Sequence, residues 1–532
     1  MNPGAPYPSI FNDVIGPVMR GPSSSHCAAS LRIGRIARDL MGGNIEEVLV
    51  QFDPGGSIAR THESQGSDMG LFAGLLGWEA TDERLTASGK ALEESGVRAR
   101  IEIAEFEAPH PNTYKLVMKN ADEQHEMTAL STGGGMIEVI KIDGADVSIQ
   151  GDYFETLVFL DSAGQEVVDF LSCTMEADDI RLFKEGRSEL VEIKAQRFMD
   201  SETASHLRSR FPVRSITTLR PLLPVLSRKN MDVPFATCSE MIRFNEGKAL
   251  SLWELALLYE TARGGLTGDE VYLRMKDLVG IMDKSIHEGI RGTHYEDRIL
   301  GHQSGKFLER MTENRLLDAG ILNRMILYVT AMMEAKSAMG LIVAAPTAGS
   351  CGVLPGACLG AASAMDLSTD DVTRALLAAG LIGAFVSARA TFAAEVGGCQ
   401  AECGAGSAMS AAALVTLAKG TAQQAVDAAS MALQNILGMI CDPVANRVEV
   451  PCLGKNVLAA SNALACANLA LAGFDVVIPL DEVIETMDRV GKSLPPELRC
   501  TALGGLSITP TAKKLEKRLQ IRMQKSGSKN QP

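Results

Sequence analysis

Near Asp232 the chain changes its pattern of construction. Before that point, short runs such as EEVLVQF, YKLVMKNA and MIEVIKIDG have the composition and alternation of half-buried strands. Beyond it the strand signals almost vanish. Alanine- and methionine-rich segments of helical period take over, among them SLWELALLYETA, LNRMILYVTAMMEAKSAMG, TRALLAAGLIGAFVSA and AVDAASMALQNILGM, separated by Gly/Pro-rich loops. At 532 residues the chain also exceeds what one core organises. The expectation is a multidomain protein: an N-terminal α+β domain over 1–150, a small ferredoxin-like βαββαβ unit over 151–225, and an all-α domain over 226–532 with a polar tail from about 520. The middle unit is read from YFETLVFL, AGQEVVDFLSCTM, DIRLFKEG, SELVEIKAQ, ETASHLRSRF and SITTLRPLLPV.

A formal net charge of −14 argues against nucleic acid or an anionic membrane as the main partner. The basic end KKLEKRLQIRMQKSGSKNQP reads as a solvated last helix with a frayed tail. Prolines in MNPGAPYPSIFNDVIGP stand where a secretory signal would be apolar. The uncharged stretches 337–365 and 456–474 are broken by Pro and Gly or by Asn456, Ser461, Asn462 and Asn468, so both read as helices buried in a large soluble domain. Eleven cysteines, an odd number, without an export signal point to reduced thiols in the cytoplasm.

Cys173, Cys238, Cys358 and Cys466 lie in apolar periodic patterns and read as small core residues. Cys399, Cys441 and Cys452 differ, because turn formers and carboxylates surround them in EVGGCQAECGAG and CDPVANRVEVPC. Soft thiolates select zinc, copper(I) or iron–sulfur clusters, and the CxxC or paired-His spacing of zinc is absent. Cys351 and Cys403 compete for the same role, and spacing does not choose among the five. In GPSSSH, the hydroxyls of Ser23, Ser24 and Ser25 and the backbone N–H groups before a helix suit an anion, or simply cap that helix. His26 is either an acid–base group or a hydrogen-bonded structural histidine. The run Ser131 to Gly135 could cradle an anion but reads first as a turn.

Taken together and in order, GPSSSH (21–26), HPNT (110–113), STGGGMI (131–137), AAPTAGSCGVLPG (344–356), EVGGCQ (395–400), CDPVANRVEVPC (441–452) and LGGLSITPT (503–511) resemble the iron–sulfur L-serine dehydratases in their fused β–α form. The resemblance implies that Cys399, Cys441 and Cys452 hold a [4Fe–4S] cluster whose fourth iron binds substrate, and that serine is converted to pyruvate and ammonia. It implies that Ser24, Ser25, His26 and Thr347 hold the substrate, with Lys455 and Asn456 beside it. The helical domain is then the catalytic one and the middle unit ACT-like and regulatory; the protein acts on a small amino acid, as a homodimer. Three positions depart from the family: Cys27 replaces a threonine, Gln65 stands where a base histidine is expected, and Lys336 replaces an asparagine. His62 or His26 is then the candidate base, and Lys336 a base or a specificity residue. The same cluster acting on another β-substituted amino acid, and an inactive amino-acid sensor, are the alternatives. No lysine is framed as a Schiff-base site beside a phosphate loop, which ranks pyridoxal-phosphate chemistry last.

Overall fold

The computed structural model describes residues 7–185 and 188–528. Its first region is a six-stranded mixed sheet in the order Arg98–Ile103, Glu47–Phe52, Thr113–Lys119, Gln124–Gly133, Met136–Ile142 and Ala145–Ile149. The first two strands are parallel and the other pairings antiparallel. Alternation builds this sheet: in Glu47–Phe52 every second residue is buried, so Val48, Val50 and Phe52 form one apolar face. Ile33, Ile36, Ala37 and Leu40 of helix Ala29–Leu40 share that core.

Helix Ser67–Leu75 lies backbone to backbone against Ala29–Leu40. A Cβ on Gly74 would stand 2.1 Å from the Leu31 carbonyl oxygen, and one on Gly70 2.1 Å from that of Cys27. Only glycine permits this approach, and it fixes the turn Ser24–Ala28 that feeds the first helix.

The next region is a four-stranded antiparallel sheet in the order Val213–Leu219, Phe154–Leu160, Ser188–Ala195, Asp179–Glu185. Helices Gly164–Thr174 and Ser201–Arg210 complete a βαββαβ order, and Val158, Leu160, Val191 and Ile193 share a core with Val167, Leu171 and Leu207 of those helices. The opposite face turns Leu157 and Phe159 into the core of the six-stranded sheet. Cys173, expected inside an apolar pattern, is exposed on its helix.

From Cys238 onward the described chain is helical apart from the two-residue strand Ile342–Val343. Helix Ala405–Leu417 is buried on all sides and contacts Thr369–Ser387, Ala422–Gln434 and Cys452–Leu471. Its alanines and glycine bring neighbouring helices close, which is why amphipathic periodicity is weak here. Capping boxes begin several surrounding helices: Ser251 with Glu254, Thr267 with Glu270, Ser368 with Asp371, Thr421 with Gln424. Each cap contributes about 1 kcal/mol.

The N-terminal segment enters this helical body. Ile10, Phe11, Val14, Ile15 and Met19 belong to its core. Ser9 Oγ and Ile10 N donate to the buried Glu260 carboxylate at 2.5 and 2.8 Å. Val18–Met19 pairs antiparallel with Ile342–Val343, immediately before the loop that carries Thr347. No described helix is long and apolar enough to cross a membrane.

Candidate active site

Three breaks in the helical region converge. Cys399 precedes the turn Gln400–Gly404, just after Gly398, whose φ of 72° and close approach to the Met439 carbonyl demand glycine. Cys441 lies in an extended stretch held to the chain near Arg499, where its N–H donates to the Leu498 carbonyl at 2.8 Å. Cys452 is the first residue of helix Cys452–Leu471, after Pro451. All three are buried.

The neighbouring Cys399 and Cys500 thiols, and then burial, push the Cys441 thiol well above its usual range. Burial and the nearby Cys399 sulfur raise Cys452 in the same direction.

Lys455, one turn into the helix that Cys452 starts, brings positive charge to this group. Its Nζ lies 3.7 Å from Cys399 Sγ and donates to the Ile440 carbonyl and to Asp442 Oδ1, both at 2.7 Å. Burial opposes its charge, but Cys399, Asp442, Cys441 and Cys452 outweigh burial and push its pKa up. Asp442 is fixed in turn by the Leu506 N–H at 2.9 Å, and a Cβ on Gly505 would meet its side chain at 2.6 Å. The LGGLSI segment thus closes over the site.

Two carboxylates that the sequence reading passed over complete the centre. Glu402 has an oxygen within 4.8 Å of both the Cys399 and Cys441 sulfurs, and accepts the Thr347 hydroxyl at 2.6 Å. Burial pushes its carboxyl up to about 7. Glu395, 4% exposed, accepts the Ser25 hydroxyl at 3.1 Å, while its Oε2 has no hydrogen-bond partner in the structure. The signal for both lies in EVGGCQAE, where Glu395, Cys399 and Glu402 follow one another at intervals of four and three residues, the spacing of one helical face.

The mixed-sheet region supplies the other wall. Ser24 Oγ accepts the Ala348 N–H at 3.1 Å, joining the serine turn to the Thr347 loop. Ser23 does not cap its turn; its hydroxyl meets His26 Nδ1 at 3.0 Å, leaving the N–H groups that open the turn without a side-chain cap. His26 Nε2 lies 2.8 Å from Thr61 Oγ1, which donates its own proton to the Ser57 carbonyl. The network therefore assigns the ring proton to Nε2 and makes Nδ1 the acceptor of Ser23. Burial lowers the His26 pKa, so the ring is neutral with both nitrogens occupied.

His62 is turned away from the thiols. It pairs with Asp68 at 2.8 Å and rests against Phe52, beside Arg60, Asn446 and Arg447. The residue of its helix that reaches them is Gln65, whose Nε2 lies 3.7 Å from Cys500 Sγ. Lys336 is fully buried and donates to the Val448 carbonyl, and its charge partly opposes the rise that burial imposes on the Cys452 thiol. Asn456 bridges the loop from the other side, accepting the Gly352 N–H at 3.1 Å and donating to the Gly349 and Cys452 carbonyls at 2.9 and 2.8 Å. It also approaches the buried Cys403 at 3.8 Å, while Cys351 lies within electrostatic range of Lys336 and Glu402. A buried cysteine cluster of this kind is compatible with a metal cofactor.

The chain is similar in sequence to known proteins. The family described as serine dehydratase alpha chain matches residues 247–507. A probable L-serine dehydratase alpha chain of Bacillus subtilis (strain 168) is 35% identical over 285 residues, covering 54% of this chain and 95% of that one. The probable beta chain of the same organism is 38% identical over 152 residues, covering 29% of this chain and 68% of that one. An L-serine dehydratase of Helicobacter pylori (strain ATCC 700392 / 26695) is 26% identical over 499 residues, covering 92% of this chain and 96% of that one. With nearly the whole of an alpha chain matched across the very segments that carry the thiols, the chain belongs to the serine dehydratase alpha chain family.

Proposed function

We propose that this protein is an L-serine dehydratase, converting L-serine to pyruvate and ammonia, and that Cys399, Cys441 and Cys452 hold a [4Fe–4S] cluster. The observation that carries the reading is Lys455: its ammonium lies 3.7 Å from Cys399 Sγ and is held by the Ile440 carbonyl and Asp442, the residues on either side of Cys441, so a positive charge stands beside the buried sulfurs. The donor set is soft, buried and served by a cation, so these residues fit the group. When bound, it supplies a Lewis-acidic iron that eases departure of the serine hydroxyl.

The chain's own groups account for the rest. The uncapped N–H groups opening the turn Ser24–Ala28, with the Ser24 and Ser25 hydroxyls, receive the substrate carboxylate. Thr347 and Asn456 shape the opposite wall. Glu395 Oε2, buried without a partner, accepts from the substrate ammonium. Glu402 has a carboxyl that exchanges a proton near neutrality, and Lys336 lies within its electrostatic range. Removal of the α-proton and loss of the hydroxyl as water give aminoacrylate, which tautomerises and is hydrolysed to pyruvate and ammonia. His26 is assigned a positioning role, because both its nitrogens are engaged. His62 is assigned to the rim.

The three domains are taken as 1–150, 151–225 and 226–532, with the middle one ferredoxin-like and ACT-like and the protein a cytoplasmic homodimer. Anaerobically purified protein should contain close to four irons and four sulfides per chain and release pyruvate from L-serine. Full activity in iron-free protein would overturn the assignment. Gln65 supports a second reading, since it occupies the expected position of the base and contacts a thiol instead: the same centre acting on another β-substituted amino acid. A substrate panel on reconstituted protein separates the two, and a clear preference for L-serine removes the second.

A further inference from the structure

Cys500 has no role in the reading above, yet it is built into the same centre. It lies at the end of PPELRC, 48 residues beyond Cys452, and is 5% exposed. Its N–H donates to the Cys441 carbonyl at 3.1 Å, so the two cysteines sit on paired stretches of backbone. Cys399, Cys441 and Cys500 form one small buried cluster with Ala394.

Three further features hold Cys500 in place. Its carbonyl accepts the Ser57 hydroxyl at 2.9 Å, from the mixed-sheet region. Gln65, 1% exposed, directs its amide at the sulfur. The backbone adopts φ 61° at Cys500 and 59° at Ala502, a left-handed conformation unfavourable to residues with a side chain and kept only where the surroundings impose it. A cysteine that merely filled space would need neither this strain nor a buried amide donor aimed at its sulfur.

We propose that Cys500 is a fourth thiolate ligand of the metal–sulfur group held by Cys399, Cys441 and Cys452, closing its coordination in the substrate-free protein. The proposal rests on the cluster reading and adds to it. Gln65 then takes a physical role as well: an amide donor that stabilises a thiolate through an N–H···S hydrogen bond and tunes the centre from outside the ligand set. The departure at residue 65 and the extra thiol are thereby parts of one arrangement.

Mössbauer spectroscopy on the anaerobic, iron-57-enriched full-length protein tests this without relying on turnover. Substrate-free wild type should show no iron subsite with oxygen or nitrogen coordination, whereas Cys500→Ser should show one such iron in four. On mild oxidation, the variant should lose iron to a three-iron cluster, read by its paramagnetic resonance signal, roughly tenfold faster or more. A distinct oxygen-ligated iron in substrate-free wild type overturns the proposal while leaving the three-cysteine cluster intact. This measurement holds even if the variant fails to fold. Wild type that binds no iron and sulfide under reconstitution overturns the cluster reading and this inference with it.

Discussion

Two places in this molecule bury ionisable groups, and they do so in opposite ways. In the four-stranded sheet, Glu155 and Glu192 stand on adjacent regular strands, both 1% exposed, and among the described residues no N–H or hydroxyl of another residue donates to their carboxylate oxygens. The nearest cation, Lys194, is 3.9 Å from Glu155. Burial raises the Glu155 carboxyl well above the usual range, with Lys194 opposing and Glu192 adding to the rise, so the pair accommodates burial by keeping a proton. At the thiol centre the charged groups sit where helices break. There the main chain still has donors to offer, and Lys455, Thr347 and Asn456 reach in from three directions. Regular strands use their backbone groups on one another, whereas chain breaks leave them for a ligand. Burial alone therefore does not make a site; available partners do.

The comparison breaks first at Cys441. Cys441→Ser should lower cluster occupancy by on the order of a hundredfold or more and abolish pyruvate formation, measured as iron per chain and as turnover. Cys403→Ser should leave iron content near that of the wild type, and loss of iron in that variant would move the ligand set by one turn.

Glu402 provides a second, smaller test. In metal-free protein its carboxyl holds a proton to about 7 against an ordinary value of 4.5. The folded state therefore binds that proton more tightly than the unfolded state. The associated stability is fully present below 4.5 and lost as pH rises through 7, a change of about 3 kcal/mol. Glu402→Gln should remove this slope from denaturant titrations of the metal-free protein and depress turnover of the loaded enzyme. An unchanged slope would show that the carboxyl titrates normally.

Glu155→Gln should stabilise the protein at pH 8 by about 1–3 kcal/mol, because it removes a carboxyl that must take up a proton to be buried. The gain should shrink toward pH 4, where the native carboxyl is protonated in both states. Thermal melts at the two values check it, and turnover should not change.

His62→Gln is expected to do least. Its pairing with Asp68 outweighs burial and raises its pKa. The contribution, about 1 kcal/mol or less for a pair this accessible, is present below the unfolded value and lost as pH rises through the folded one. Pyruvate formation should persist, and its loss would return His62 to the catalytic group.

The change of pattern near Asp232 was readable because strand and helix periods differ so plainly. The SSSH turn was readable from its hydroxyls. The segment from Ile10 to Met19 gave no sign that it belongs to the helical core, since IFNDVIGPVM has neither period and its partners lie more than two hundred residues away. Cys500 was hidden for a related reason: its contact with Cys441 is made through a short backbone bridge, which leaves no spacing rule in the sequence. The orientation of helix Ile58–Gln65, which sends Thr61 and Gln65 inward and His62 outward, follows from packing against Phe52 and Asp68 rather than from residue type.

The two-residue ladder between Val18–Met19 and Ile342–Val343 has a further consequence. It sets the Ser24 turn against the Thr347 loop, although more than three hundred residues separate them. The Bacillus relatives are named as separate alpha and beta chains, and any contact between two molecules depends on their concentration. Here the contact is intramolecular, with an effective concentration set by the tether. Dilution therefore cannot part the serine turn from the thiols, and the completeness of the centre becomes a property of each single chain.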